Sequence, residues 1–126
     1  MAAGDFRSSE RYEIDRTIRA AEQASRCEFS VYVGRAEGES RAFAARLHRA
    51  LTAPDRSILI LVDPTARLLE VVTGTHVRRN LSDREVELAV LQMQSAFAEG
   101  DLVGGLKRGI TMLADHARAP ETLHGS

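Results

Sequence analysis

The stretch Ser57-Ile-Leu-Ile-Leu-Val-Asp63, followed by Pro64-Thr-Ala-Arg67 and Leu68-Leu-Glu-Val-Val-Thr73-Gly74, decides the fold. Ile58–Val62 is continuously apolar, which suits a strand covered on both faces and therefore central in a sheet. Asp63 and Pro64 carry turn chemistry at the first and second turn positions. Leu68–Thr73 is rich in β-branched residues and stops at Gly74, so it is expected to return antiparallel as a hairpin partner.

The flanking sequence extends this pair. Phe29, Val31 and Val33 alternate with Ser30 and Tyr32 before Gly34, the pattern of another strand. Phe43, Leu47 and Leu51 then recur every four residues, with Ala44 and Ala50 beside them. That spacing predicts a helix up to Thr52, ended by Pro54. Two strands joined through a helix are expected to be parallel with a right-handed crossover. Tyr12, Ile14, Ile18, Ala21 and Ala24 predict an earlier helix over 10–25. Downstream, Ser82-Asp-Arg-Glu85 is a capping box opening a helix with Val86, Ala89, Val90, Met93 and Phe97 inward. After Glu99–Gly100 a last helix runs to about Ala117, with Leu102, Val103, Leu106, Ile110 and Leu113 facing in. The order α-β-α-β-β-α-α implies an α/β fold: one α/β/α sandwich with a small mixed sheet over 10–118. Flexible tails are expected at 1–9 and 119–126.

Composition removes several functional classes. The chain has 126 residues, room for one domain that buries roughly two-thirds of its extended surface. Hydrophobic residues are 44% and charged residues 28%, the balance of a globular protein and not of a disordered or membrane one. Lysine and arginine total 17 against 18 aspartates and glutamates, so no basic coat for nucleic acid is expected. Cys27 stands alone, which excludes an internal disulfide framework and a cysteine-rich zinc site. The longest apolar run is too short to cross a bilayer, so no transmembrane segment is expected. Residues 1–9 lack the charged and apolar regions of a signal peptide, so a cytoplasmic location is expected. Neither a G-x-G-x-x-G after a strand nor a phosphate-binding G-x-x-x-x-G-K-[ST] is present. Lys107 is the sole lysine, so basic contacts fall to arginine.

Strand direction sorts the polar residues into two groups. Gly34–Arg35, Asp63 and Arg67 collect at the hairpin end. Glu28, Thr73, Thr75, His76, Arg78, Arg79, Ser82 and Asp83 collect at the other, and Asp101 is expected to join them. There Asp83 and His76 are the candidate catalytic residues. Arg78, Arg79 and Ser82 are the candidate anion-binding set, helped by backbone amides opening the helix after Ser82. Glu28, Asp83 and Asp101 are candidate ligands for a divalent cation, calcium or magnesium. Each residue also has a structural reading: Ser82 as a cap, Asp83 as a helix-dipole partner, Asp63 as a turn residue, Asp101 as a helix start. His48 reads as exposed or packed, and His116 and His124 carry no assigned role.

Glu28-Phe-Ser-Val-Tyr-Val33, the Ile58–Val62 and Leu68–Gly74 pair, Leu81-Ser-Asp83 and Phe97-Ala-Glu-Gly-Asp-Leu-Val-Gly-Gly-Leu106 together resemble the TPM domain family. That family includes a thylakoid lumen protein of photosystem II repair, and this chain looks most similar to a compact actinobacterial branch of unknown function. The likeness runs from about Ile14 to Leu113. It implies an α/β/α sandwich, with acid-phosphatase-like activity and divalent-cation binding attributed to some members. The family's acidic residue before the strand turn falls on Asp63, which the resemblance adds to the cation ligands, and its Leu-Thr-Asp element falls on Leu81-Ser82-Asp83. Its Gly-x-Gly-x-Glu stretch falls on Gly74-Thr-His76-Val-Arg78, so a glycine and a glutamate are replaced by His76 and Arg78. A basic loop of that kind suits a phosphorylated small-molecule ligand better than a metal.

Two functional readings follow. A non-catalytic module that binds a protein partner or helps assemble a complex makes the fewest demands, and an exposed apolar strip on the first or last helix would favour it. The alternative is a weak, cation-dependent phosphomonoester hydrolase. It requires Glu28, His76, Asp83 and Asp101 to converge, with Arg78 or Arg79 steadying the phosphoryl oxygens.

Overall fold

The computed structural model describes residues 2–3 and 6–119. Its sheet contains β1 (Ala2–Ala3), β2 (Glu28–Val33), β3 (Ser57–Asp63) and β4 (Leu68–Thr73), in that spatial order. The helices are α1 (Ser8–Ser25), α2 (Ser40–Arg49), α3 (Asp83–Ala98) and α4 (Leu102–Ala117). Apart from β1, the order is the one expected: among the described residues, four α-helices and a mixed sheet in one α/β unit. The tail expected over 1–9 holds the two-residue β1, which pairs parallel to β2, and the first two residues of α1. Most of the tail expected at 119–126, including His124, lies outside the described residues.

The apolar run becomes the central strand. β3 is buried at every position from Ser57 to Asp63. It pairs parallel to β2, with Phe29 beside Ile58 and Val31 beside Ile60, and antiparallel to β4, with Ile60 beside Val71. Because side chains alternate along a strand, the run divides between two cores. Ile58, Ile60 and Val62 join Ile14, Ile18, Met93, Leu106, Ile110 and Leu113 under α1, α3 and α4. Leu59 and Leu61 face the other way, against Ala44, Phe43 and Leu47 of α2. Three helices cover one face and a single ten-residue helix covers the other.

The ends of α2 and α4 have local causes. Residues 50–53 lie outside α2, which stops at Arg49, and Pro54 opens a short 3-10 turn leading into β3. The α3–α4 turn passes through Gly100, whose φ of 83° suits glycine. Helix α4 then lies close on α3, because a Cβ at Gly105 would come within 2.7 Å of the Phe97 ring and 2.9 Å of the Ala96 methyl.

Candidate functional site

The strands carry the predicted residues to opposite ends of the molecule. Glu28 opens β2 and Asp63 closes β3, which runs parallel to it; the rise from Ser57 to Asp63 is about 20 Å. Asp83 opens α3, and Asp101 follows its end, separated by a helix of about 24 Å. Residues on either side of Asp101, Gly100 and Leu102, line a cavity with Asp63 and Arg67. Asp101 therefore stands at the hairpin end, correcting its expected place beside Asp83. Among the described residues no three histidine, cysteine, aspartate or glutamate side chains lie close enough to hold a metal ion. Glu28, Asp63, Asp83 and Asp101 thus do not fit one shared divalent-cation site.

Four of the eight predicted polar side chains, Asp63, Asp101, Arg78 and Ser82, hold backbone in place. Asp63 is buried, accepting from the Ala36 amide at 3.0 Å and the Ala66 amide at 3.1 Å. These bonds, the one from Ala36 foremost, hold its carboxyl below the usual carboxylate range. Asp101 caps α4, accepting from Gly104 N at 2.9 Å with Arg108 Nη2 at 3.4 Å. Arg78 donates through Nη1 to the Thr73 carbonyl. His76 is exposed, and its backbone amide donates to the Asp55 carbonyl at 2.9 Å. Glu28, Arg79 and Asp83 are exposed. His48 is buried against the sheet, with Nε2 3.0 Å from the Ser57 carbonyl oxygen.

Ser82 forms the capping box the sequence predicted. Its Oγ accepts from the Glu85 amide at 3.2 Å and donates to Glu85 Oε1 at 3.0 Å, while its own amide donates to Oε1 at 2.9 Å. The second Glu85 oxygen meets His116 Nδ1 at 2.9 Å. The Ser82 backbone bond leads the influences that keep the Glu85 carboxyl below its usual range. Serine, carboxylate and imidazole thus occur in one chain of contacts, but the carboxylate sits in the middle. The imidazole is not placed to take the serine proton, so this is not a nucleophile–base pair.

Two features were not anticipated. The first is the open edge of β4. Since Glu70 and Val72 face β3 in the ladder, the backbone groups of Leu69, Val71 and Thr73 face outward. Arg41 Nη1 donates to the Val71 carbonyl at 2.7 Å, and Arg78 covers that of Thr73. Guanidinium groups blunt this edge against strand addition. Nothing in local spacing marks Arg41 for this task, because residue 71 is thirty positions away.

The second feature is the outer face of α3. Leu88 and Leu91 are 45% and 60% exposed, on the side opposite Ala89, Met93 and Ala96. Apart from Tyr12 on α1, they are the large exposed hydrophobic residues among those described. The apolar strip thus lies on α3, not on the first or last helix. Its signal is visible in sequence: Arg84, Leu88, Leu91, Ser95 and Ala98 repeat at spacings of four and three, off the inward face.

A family model described as a domain of unknown function, DUF5130, matches residues 2–114. The chain belongs to that family. This DUF5130 chain is 30% identical over 101 residues to two uncharacterised proteins of Mycobacterium tuberculosis, Rv2468c of strain H37Rv and MT2543 of strain CDC 1551. The match covers 80% of this chain but 60% of each relative, so the chain spans less than two-thirds of their length. Among solved structures, the BA42 protein of the psychrophilic bacterium Bizionia argentinensis superposes with a TM-score of 0.81 at 19% identity, over 90% of this chain and 82% of that one. The N-terminal domain of the cg2496 protein of Corynebacterium glutamicum gives 0.76 at 15% identity, over 96% and 80%. At these identities the likeness concerns the fold. No helix of the described residues is long and apolar enough to cross a membrane.

Proposed function

We propose that this DUF5130 domain is a non-catalytic module that binds a protein partner or helps assemble a complex. The observation that carries the reading is a contrast between its polar and apolar residues. Asp63, Asp101, Ser82 and Arg78 each bond backbone groups, whereas Leu88 and Leu91 stand in solvent. Hydrolysis would need an activated nucleophile and preorganised charge at one place. Of the carboxylates selected from the sequence, Glu28 and Asp63 stand about 20 Å apart along the sheet, and Asp83 and Asp101 are separated by the length of α3. An exposed apolar pair on a regular helix needs only a complementary surface.

A phosphoester assay tests this reading. Purified protein is incubated with a generic phosphomonoester and magnesium, calcium or manganese, alongside Asp83→Ala and His76→Ala. Both side chains are exposed, so the variants are expected to fold. Any background hydrolysis should be the same in all three proteins. Turnover in the parent that disappears in both variants would overturn the reading.

A further inference from the structure

We infer that the cavity at the hairpin end binds a small molecule with an apolar body and one carboxylate, the carboxylate meeting Arg67. The cavity measures about 520 Å³, inside the range of roughly 300–1,000 Å³ in which small ligands are held. Three elements wall it: Val62, Leu68 and Leu69 come from the hairpin, Phe97 from α3 and Leu102 from α4. Leu69, Phe97 and Leu102 are half-buried and pack on the main core. The apolar floor is therefore continuous with that core, and a hydrocarbon or aromatic body lying on it removes apolar surface from water on both sides. The α1–α4 groove, about 430 Å³, is lined by alanines, threonines and charged residues, with no large apolar side chain. Its Lys107 is already paired with Glu13 at 2.9 Å.

The polar lining of the hairpin-end cavity selects the head group. It consists of Asp63, Arg67 and Gln94. The Asp63 oxygens already accept from the Ala36 and Ala66 amides, and the cation that acts on that carboxyl is Arg35. Arg67 and Gln94 are exposed and make no hydrogen bond or ion pair with the other described residues. A guanidinium offers only donors, and it pairs a planar carboxylate through parallel, charge-assisted hydrogen bonds. A cationic ligand would instead set like charges together. The backbone of Arg67 has φ 57°, a left-handed conformation that glycine adopts more readily. Glycine at this position therefore removes the guanidinium without straining the turn. Leu88 and Leu91 do not line the cavity, so the site goes beyond the protein-binding reading and stands without it.

Heptanoate and heptanol share an alkyl chain and differ in the head group. Each is titrated into the isotope-labelled full chain at neutral pH and followed through the backbone amide chemical shifts. Heptanoate should give saturable shifts centred on Val62, Leu69, Gln94, Phe97 and Leu102, with a dissociation constant of about 1 mM. Heptanol should bind the same residues about tenfold more weakly, lacking the charge-assisted pair. Arg67→Gly should weaken heptanoate by about the same factor, leave heptanol unchanged, and keep its Tm at or above that of the parent. Gln94→Glu, an exposed position on the lining, should likewise weaken heptanoate and spare heptanol, because it sets a carboxylate at the rim. Thr111→Glu, which adds the same charge in the α1–α4 groove, should bind both like the parent. Heptanoate shifts that fail to saturate by about 10 mM, or that gather on Leu88 and Leu91, would overturn the inference. So would heptanol binding the parent as tightly as heptanoate does, or a heptanoate affinity unchanged in Arg67→Gly and Gln94→Glu.

Discussion

Asp63 shows how one carboxylate fixes three segments at once. It ends β3, accepts from Ala36 in the loop between β2 and α2, and accepts from Ala66 in the hairpin turn. Its folded pKa lies below the ordinary value of 3.8, with the Ala36 bond as the largest cause. A carboxyl that ionises more readily folded than unfolded contributes stability that is complete above its unfolded pKa. That contribution is lost as the pH falls through the depressed folded value. Denaturant titrations at neutral pH and at successive pH values below about 4 should therefore show stability falling in the parent. Asp63→Asn should be less stable at neutral pH, with the gap to the parent narrowing in acid. An unchanged gap would mean that the ionised form is not what these amides require.

At the scale of elements, the α3–α4 pair depends on missing side-chain volume. Gly105 and Gly109 lie one turn apart on α4 and face Ala96, Phe97 and Met93 of α3. Glycine weakens an isolated helix by about 1 kcal/mol relative to alanine, so helix propensity alone favours Gly105→Ala. Packing decides the other way, because the new methyl would collide with the Ala96 Cβ, which is fixed to its own backbone. Overpacking of this kind costs about 1–3 kcal/mol, so urea denaturation should show a net loss of stability in Gly105→Ala. A gain would show that the two helices can separate without cost. The same pair explains why Ser82 and His116 are neighbours through Glu85: close antiparallel packing brings the last turn of α4 against the first turn of α3.

Across the whole molecule the two layers are unequal. The core under α1, α3 and α4 contains most of the large buried side chains, whereas α2 rests on Leu59, Leu61 and the Tyr32–Phe43 edge contact. Local opening follows the amount of buried apolar contact. Native-state hydrogen exchange should therefore find the α2 amides opening at lower free energy than those of Leu106–Leu113 in α4. Equal protection would show that both layers unfold as one unit.

The strand–turn–strand unit around Asp63 and the periodicity of the helices determined the elements, their order and the two-sided burial of β3. These are local properties: side-chain alternation and turn chemistry operate over a few residues. The Ser82 capping box was equally legible, since both partners lie within one turn. Tertiary structure alone decided which polar residues meet. Asp101 and Asp83 are separated by the length of α3, and the Val71 carbonyl is reached by Arg41 from thirty residues away. Such relations depend on helix length, strand direction and the packing of α4 on α3, none of which is encoded in any short window. The outward direction of Leu88 and Leu91 was legible, since the periodicity already set Ala89 and Met93 inward; that no other element covers them was decided only by tertiary packing, because it depends on where α1, α2 and α4 lie.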